Sequence, residues 1–155
     1  MSDNSVILLL GSNIDPAVNI QKALELLKVS LKISRKSRLW KTEAIGSSGP
    51  DFLNMAVEAK TKLDAWQIKT EVIDPIEKKL HRIRTADKYA PRTIDIDTII
   101  FNGLVMDLNI WNSLFIALPV SEIIPDLINQ TTGDTLIDTV ENLKSSAYAE
   151  LFEIA

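Results

Sequence analysis

An unbroken apolar run at residues 6–10 ends at Gly11-Ser12-Asn13. Its length, and the turn residues that bound it, predict a fully buried strand. Asp15 followed by Pro16 predicts a helix start, with a capping acceptor and then proline at the first helical position. Ile20, Leu24, Leu27 and Leu31 recur at three-to-four spacing, so 16–30 is predicted to be an amphipathic helix. From 33 to 42 the pattern alternates, which predicts a strand. A Gly/Ser/Pro turn at 46–50 then leads into another strand at 52–61. Helical composition returns over 65–81, where Pro75, lacking an N–H, is expected to kink or restart the helix. Residues 82–92 are polar and without apolar period, as in a loop. Residues 93–101 read as a strand, and Asn102-Gly103 is a hairpin signal into a short partner at 104–107. Short helical pieces are expected near 119–124 and 135–144, followed by a tail.

This order is that of a split βαβ unit. It predicts an α+β, ferredoxin-like antiparallel sheet backed by helices, with 1–155 forming one domain. That fold carries many chemistries, so function must come from particular residues. With no cysteine and one histidine, His81, the chain can build neither a disulfide framework nor a thiolate or multi-histidine metal site. A metal would have to sit on oxygen ligands, which points to magnesium or a similar hard ion. A net charge of −4 weighs against general nucleic-acid binding. The apolar run at 6–10 is too short to span a bilayer and has no basic region ahead of it, so a cytoplasmic protein with no membrane partner is expected.

Chemistry concentrates in Pro91-Arg92-Thr93-Ile94-Asp95-Ile96-Asp97. Alternation on a strand sends Asp95 and Asp97 to one side and Ile94 and Ile96 into the core. Two carboxylates roughly 7 Å apart along a strand repel each other unless a cation lies between them. Magnesium ions bridged by phosphate oxygens would relieve that repulsion; a solvated strand face is the plain alternative. Lys78, Lys79, Arg82, Arg84, Lys88 and Arg92 make the preceding stretch basic, which suits a metal–triphosphate ligand or a solvated helix end. In Gly49-Pro50-Asp51-Phe52-Leu53-Asn54, Phe52 and Asn54 share a strand face. Together they could hold a flat heterocycle, although a core aromatic beside a turn amide is the simpler account.

These strings, with Ile76-Glu77 and Arg82-x-Arg84, occur in the same order and spacing as in the 6-hydroxymethyl-7,8-dihydropterin pyrophosphokinases, which the chain resembles from about residue 5 to about residue 127. The resemblance implies transfer of pyrophosphate from ATP to the pterin alcohol in folate biosynthesis. Asp95 and Asp97 would hold two Mg²⁺ ions, and Arg82 and Arg92 would neutralise the triphosphate. Glu77, Arg84 and Tyr89 would add to the nucleotide side, with 82–92 closing as a lid. Thr42, the backbone near Ile45, Phe52, Asn54 and Phe115 would take the pterin. The implied partners are these two small molecules, with other folate-pathway enzymes as candidates. The chain departs from the family between 108 and 115, where Leu108-Asn109-Ile110-Trp111-Asn112-Ser113-Leu114-Phe115 is shorter than usual. It lacks a proline-histidine pair and has Ser113 in place of an arginine. Glu43 stands where proline is usual, and His81 where glycine precedes Arg82. A weakened or non-catalytic pterin- or nucleotide-binding paralogue is therefore the second reading, and a ferredoxin-like RNA-binding module the third.

Overall fold

The computed structural model describes residues 3–44, 49–83, 86 and 91–153. Its centre is an antiparallel sheet of seven strands: β1 (Asn4–Ser12), β2 (Lys32–Lys36), β3 (Leu39–Thr42), β4 (Phe52–Thr61), β5 (Asp95–Phe101), β6 (Leu104–Val105) and β7 (Ala149–Phe152). They run in the order β6-β5-β1-β4-β3-β7, with β2 also paired to β4. The apolar run at 6–10 becomes the buried central strand because it has a ladder on each side, to β4 and to β5. The β5-β1-β4-β3 order is that of the expected split βαβ core.

Helices cover both faces. α1 (Pro16–Ser30) buries Ile20, Ala23, Leu24 and Leu27 on one side of the sheet. They join Val6, Leu8 and Leu10 of β1, Ile94 and Ile96, and the apolar side of 65–79. Truncating any one of these leucines to alanine would cost about 2–5 kcal/mol. The 65–79 stretch is α2 (Ala65–Gln67), a π-helical segment (Ile68–Ile73) and α3 (Asp74–Lys79). The expected disturbance at Pro75 takes this form: wider π turns lead into a proline in the first turn of α3. On the opposite face Ile7, Leu9, Ile99 and Ile100 pack beneath α4 (Leu114–Ser121) and α5 (Leu136–Leu143).

Several local expectations are corrected. Asp15 precedes α1 but its side chain accepts no capping bond; its backbone is left-handed, at φ 42°. Its carbonyl instead accepts the Asn19 amide at 2.9 Å. The alternating stretch 33–42 is two strands, because Ser37 leaves the register to exchange bonds with Ala56 of β4. α4 starts at Leu114, five residues before the helical piece expected near 119–124, with Pro119 inside its short span. The tail after α5 contributes β7, which pairs with β3 along its whole length. The Asn102-Gly103 turn is as expected, both residues having positive φ. The turn at 46–50 and the loop at 82–92 fall largely outside the described residues. Among the described residues, no helix is long and apolar enough to cross a membrane.

Candidate active site

The β-ladders bring three strand ends to one place. In β1·β4, Gly11 is opposite Asn54, and in β1·β5 it is opposite Asp95. Strand alternation then places Phe52, Asn54, Gly11, Asp95 and Asp97 on the face that carries α4. Together with Thr42, Glu43, Arg92, Asp107, Asn109, Ser113 and Phe115 they line a cleft of about 460 Å³.

At one end of the cleft the side chain that faces the space is oriented by a neutral contact. The buried Asn54 amide donates to the Thr42 hydroxyl at 2.7 Å, across the β3·β4 pair. This bond uses an amide hydrogen, and the carbonyl oxygen lies on the Gly11 side. A Cβ on Gly11 would sit 3.2 Å from that oxygen and 3.7 Å from the Phe52 ring, so glycine here clears space between aromatic and amide. α4, which carries Phe115, is tied to β3 by Glu122. One carboxylate oxygen of Glu122 accepts Trp40 Nε1 at 2.9 Å and the Arg38 amide at 3.0 Å, and the other accepts Arg38 Nε at 2.7 Å.

At the other end charge dominates. Arg82 Nη1 donates to Glu77 at 2.7 Å and to Asp95 Oδ1 at 2.8 Å, while Arg92 Nη1 donates to Asp95 Oδ2 at 3.0 Å. Glu77 is buried and its Oε2 also accepts the Ile96 amide at 3.0 Å, so it fixes Arg82 to the start of β5. Arg92 lies over the Phe52 ring, 5.9 Å from its centroid, and so reaches toward both ends. Asp97 is open to solvent as a residue, yet the cleft walls take enough water from its carboxyl to push its pKa up to about 6. Burial is the main cause, with Asp95, Glu77 and Asp107 adding negative field and Arg82 opposing them.

This donor set fits magnesium. Among the described residues no group of three or more histidines, cysteines and acids could hold a metal alone. Asp95 and Asp97 could therefore supply only part of a magnesium shell, with phosphate oxygens and water left to complete it. Burial, with the neighbouring acids, disfavours the charged form of Asp97, and a cation beside it would favour that form.

Of the residues expected from the sequence, Thr42, Phe52, Asn54, Phe115, Arg92, Asp95 and Asp97 line this one cleft. Arg82 and Glu77 stand behind Asp95, in an adjoining depression shared with Lys69, Asp74 and Lys78. Ile45, Arg84 and Tyr89 lie outside the described residues. His81 ends α3 with φ 64°, the left-handed conformation that glycine adopts readily, so it is a helix-end residue. Gly11, Glu43, Asp107, Asn109 and Ser113 also line the cleft but were not assigned to it from the sequence. The signal for Gly11 was its place where the apolar run of β1 ends. The shortened segment at 108–115 forms a 3-10 turn (Leu108–Trp111), capped by Asp107, and then α4.

The family model for 7,8-dihydro-6-hydroxymethylpterin-pyrophosphokinase matches residues 7–125. This chain belongs to that family. It is 31% identical over 149 residues to a 2-amino-4-hydroxy-6-hydroxymethyldihydropteridine pyrophosphokinase of a Synechocystis strain, covering 89% of this chain and 75% of that one. To the enzyme of the same name from Bacillus subtilis it is 30% identical over 143 residues, covering 84% of each. A crystal structure of Plasmodium falciparum HPPK-DHPS superimposes with a TM-score of 0.75 at 15% identity, over 92% of this chain and 46% of that longer one. This last likeness is one of fold.

Proposed function

We propose that the chain transfers a pyrophosphoryl group from ATP to the hydroxymethyl oxygen of 6-hydroxymethyl-7,8-dihydropterin, forming AMP and the pterin pyrophosphate. The observation that carries this reading is that one cleft holds an aromatic–amide end and an acid–arginine end. A flat heterocycle and a metal-bound triphosphate need those two environments side by side.

Phe52 and Phe115 supply apolar area for the pterin ring, and Asn54, oriented by Thr42, reads its polar edge. Arg92 and Arg82 bind phosphate oxygens, and Glu77 holds Arg82 in place. Asp95 and Asp97 would hold two magnesium ions, which would supply charge neutralisation of the triphosphate. The substrate hydroxyl forms a bond to the β-phosphorus as the bond to the oxygen bridging the α- and β-phosphorus breaks. The leaving oxygen departs with AMP, and the hydroxyl proton is released to water. No protein nucleophile is required, since positioning and charge account for catalysis of this class. Ile45, Arg84 and Tyr89 are assigned to the same two ligands through the family pattern. The whole of 1–155 acts as one domain in this reading, with other folate-pathway enzymes as working partners. An Arabidopsis thaliana relative, 30% identical over 131 residues and named a folate synthesis bifunctional protein, supports the last point.

Release of AMP from ATP and magnesium tests the proposal. It is expected only when the hydroxymethyl-dihydropterin is present. Pterin binding without AMP release would establish the non-catalytic paralogue instead.

A further inference from the structure

We infer that Asn13 is a positioning residue that braces the pterin end and the phosphate end of the cleft against each other, an inference that rests on the pyrophosphokinase reading of that cleft. The two ladders of β1 stop at its C-terminal end, with Gly11 opposite Asp95 and Ser12 opposite Leu53. Asn13 is the next residue, only 4% exposed, and it continues the connection on both sides. Its amide N–H donates to the Arg92 carbonyl at 3.2 Å, and its Oδ1 accepts the Arg92 N–H at 2.8 Å. Arg92 is thus held from both of its backbone polar groups by one residue. On the other side Asn13 Nδ2 donates to the Pro50 carbonyl at 3.2 Å, two residues before Phe52.

The side chain type is specific to this task. An acceptor is needed toward Arg92 and a donor toward Pro50, and a short amide offers both from one planar group. Aspartate is no equivalent at this position: a carboxylate would keep the acceptor and set a second oxygen against the Pro50 carbonyl. Asn13 stands behind the cleft lining, so its effect on ligands passes through the two segments it holds. Those segments carry Phe52 and Arg92, which themselves meet at 5.9 Å. Without the brace, the aromatic and the guanidinium lose their fixed separation.

The bond to Pro50 can be cut alone or together with the bond to Arg92. Asn13→Ala removes both side-chain bonds, and Asn13→Asp removes only the one to Pro50. In ligand-free protein, amide exchange followed by two-dimensional NMR should quicken in Asn13→Ala at Arg92 and at residues 52–54, by about fivefold for each bond lost. In Asn13→Asp the change should appear at residues 52–54 and spare Arg92. Steady-state kinetics should follow the same split. Asn13→Ala raises the KM for both ATP and pterin by about fivefold or more, whereas Asn13→Asp raises that for pterin alone. Identical behaviour of the two variants, or a lowered melting temperature with exchange and both KM values unchanged, would overturn the brace. If Asn13→Ala does not fold, the near-isosteric Asn13→Asp still gives the decisive split. Absence of AMP release by the unaltered protein would count against the proposed reaction, while the exchange measurement would still decide the role of Asn13.

Discussion

The two ends of the cleft are built on opposite principles. The end proposed for the pterin rests on neutral side chains: strand register places Phe52 and Asn54, one bond to Thr42 orients the amide, and Gly11 leaves room. Standing ready for a ligand costs such an end little, because Phe52, Asn54 and Phe115 carry no charge. The phosphate end is a chain of ions, Glu77–Arg82–Asp95–Arg92, with each arginine on an acid. Charges brought this close out of water must balance internally or be destabilising. The acids and arginines therefore neutralise one another when alone, and each is the partner that a metal–triphosphate would claim. One end is preorganised by register, the other by mutual charge compensation.

The largest expected effect comes from removing the acids. Asp95→Ala or Asp97→Ala should lower turnover by about 10²–10³-fold or more, as loss of a charge-stabilising group does, and should weaken ATP·Mg binding. Pterin affinity should change much less, since neither acid is bonded to Asn54 or Thr42. Single-turnover AMP release, together with pterin titration, checks both parts. Near-normal turnover in either variant would break the division of labour.

Stability should show the same contrast. Glu77→Ala leaves Arg82 with one fewer acid and the buried Ile96 amide without its acceptor, a loss of about 3 kcal/mol. Thr42→Val at the neutral end strands only one amide hydrogen of Asn54, worth about 1 kcal/mol. Urea unfolding of the two variants measures the difference, and equal losses would contradict it. For ligand binding the ranking reverses. Phe52→Ala or Phe115→Ala should cost about 1–3 kcal/mol of pterin affinity by calorimetry, with ATP binding nearly unmoved.

Most of this plan was legible in the sequence wherever a single strand carried it. Alternation alone put Asp95 and Asp97 on one face with Ile94 and Ile96 in the core, and the buried isoleucines agree. Phe52 and Asn54 were readable in the same way. What could not be read was pairing between strands distant in the chain. That Gly11 meets both Asn54 and Asp95 follows from two ladders, and no local pattern encodes it. β7 has only four residues and no clean alternation, so its place beside β3 depends on an edge left open there. Asp107, Asn109 and Ser113 reach the cleft because a short 3-10 turn folds the 108–115 segment back, a geometry with weak sequence signals. The family pattern located the histidine and arginine that this segment lacks. It gave no indication that Asp107 would stand near Asp97.

The smallest effect, and the sharpest probe of the comparison, is the sign of the pH dependence. Asp97 in the cleft and Glu58 in the middle of β4 are both acids with protein neighbours, yet their shifts oppose each other. Glu58 is held below its ordinary value by the hydrogen bond from Arg35, with a second from Ser34, against the effect of burial. Its stabilising contribution is present above the unfolded value near 4.5 and is lost as pH falls through its lower folded value. Asp97 is raised from 3.8 to about 6, so its folded state favours the proton. Its relative stability is greatest below 3.8 and is lost as pH rises through about 6. In metal-free protein, Asp97→Asn should therefore raise the unfolding midpoint at pH 7 and have little effect near pH 4. Glu58→Gln should lower it at pH 7, with the deficit shrinking toward pH 3. Denaturant unfolding across that range reads both, and the two difference curves should slope in opposite directions. Parallel slopes would mean that Asp97 is compensated within the chain as Glu58 is, and the charged end of the cleft would then have no need of a cation.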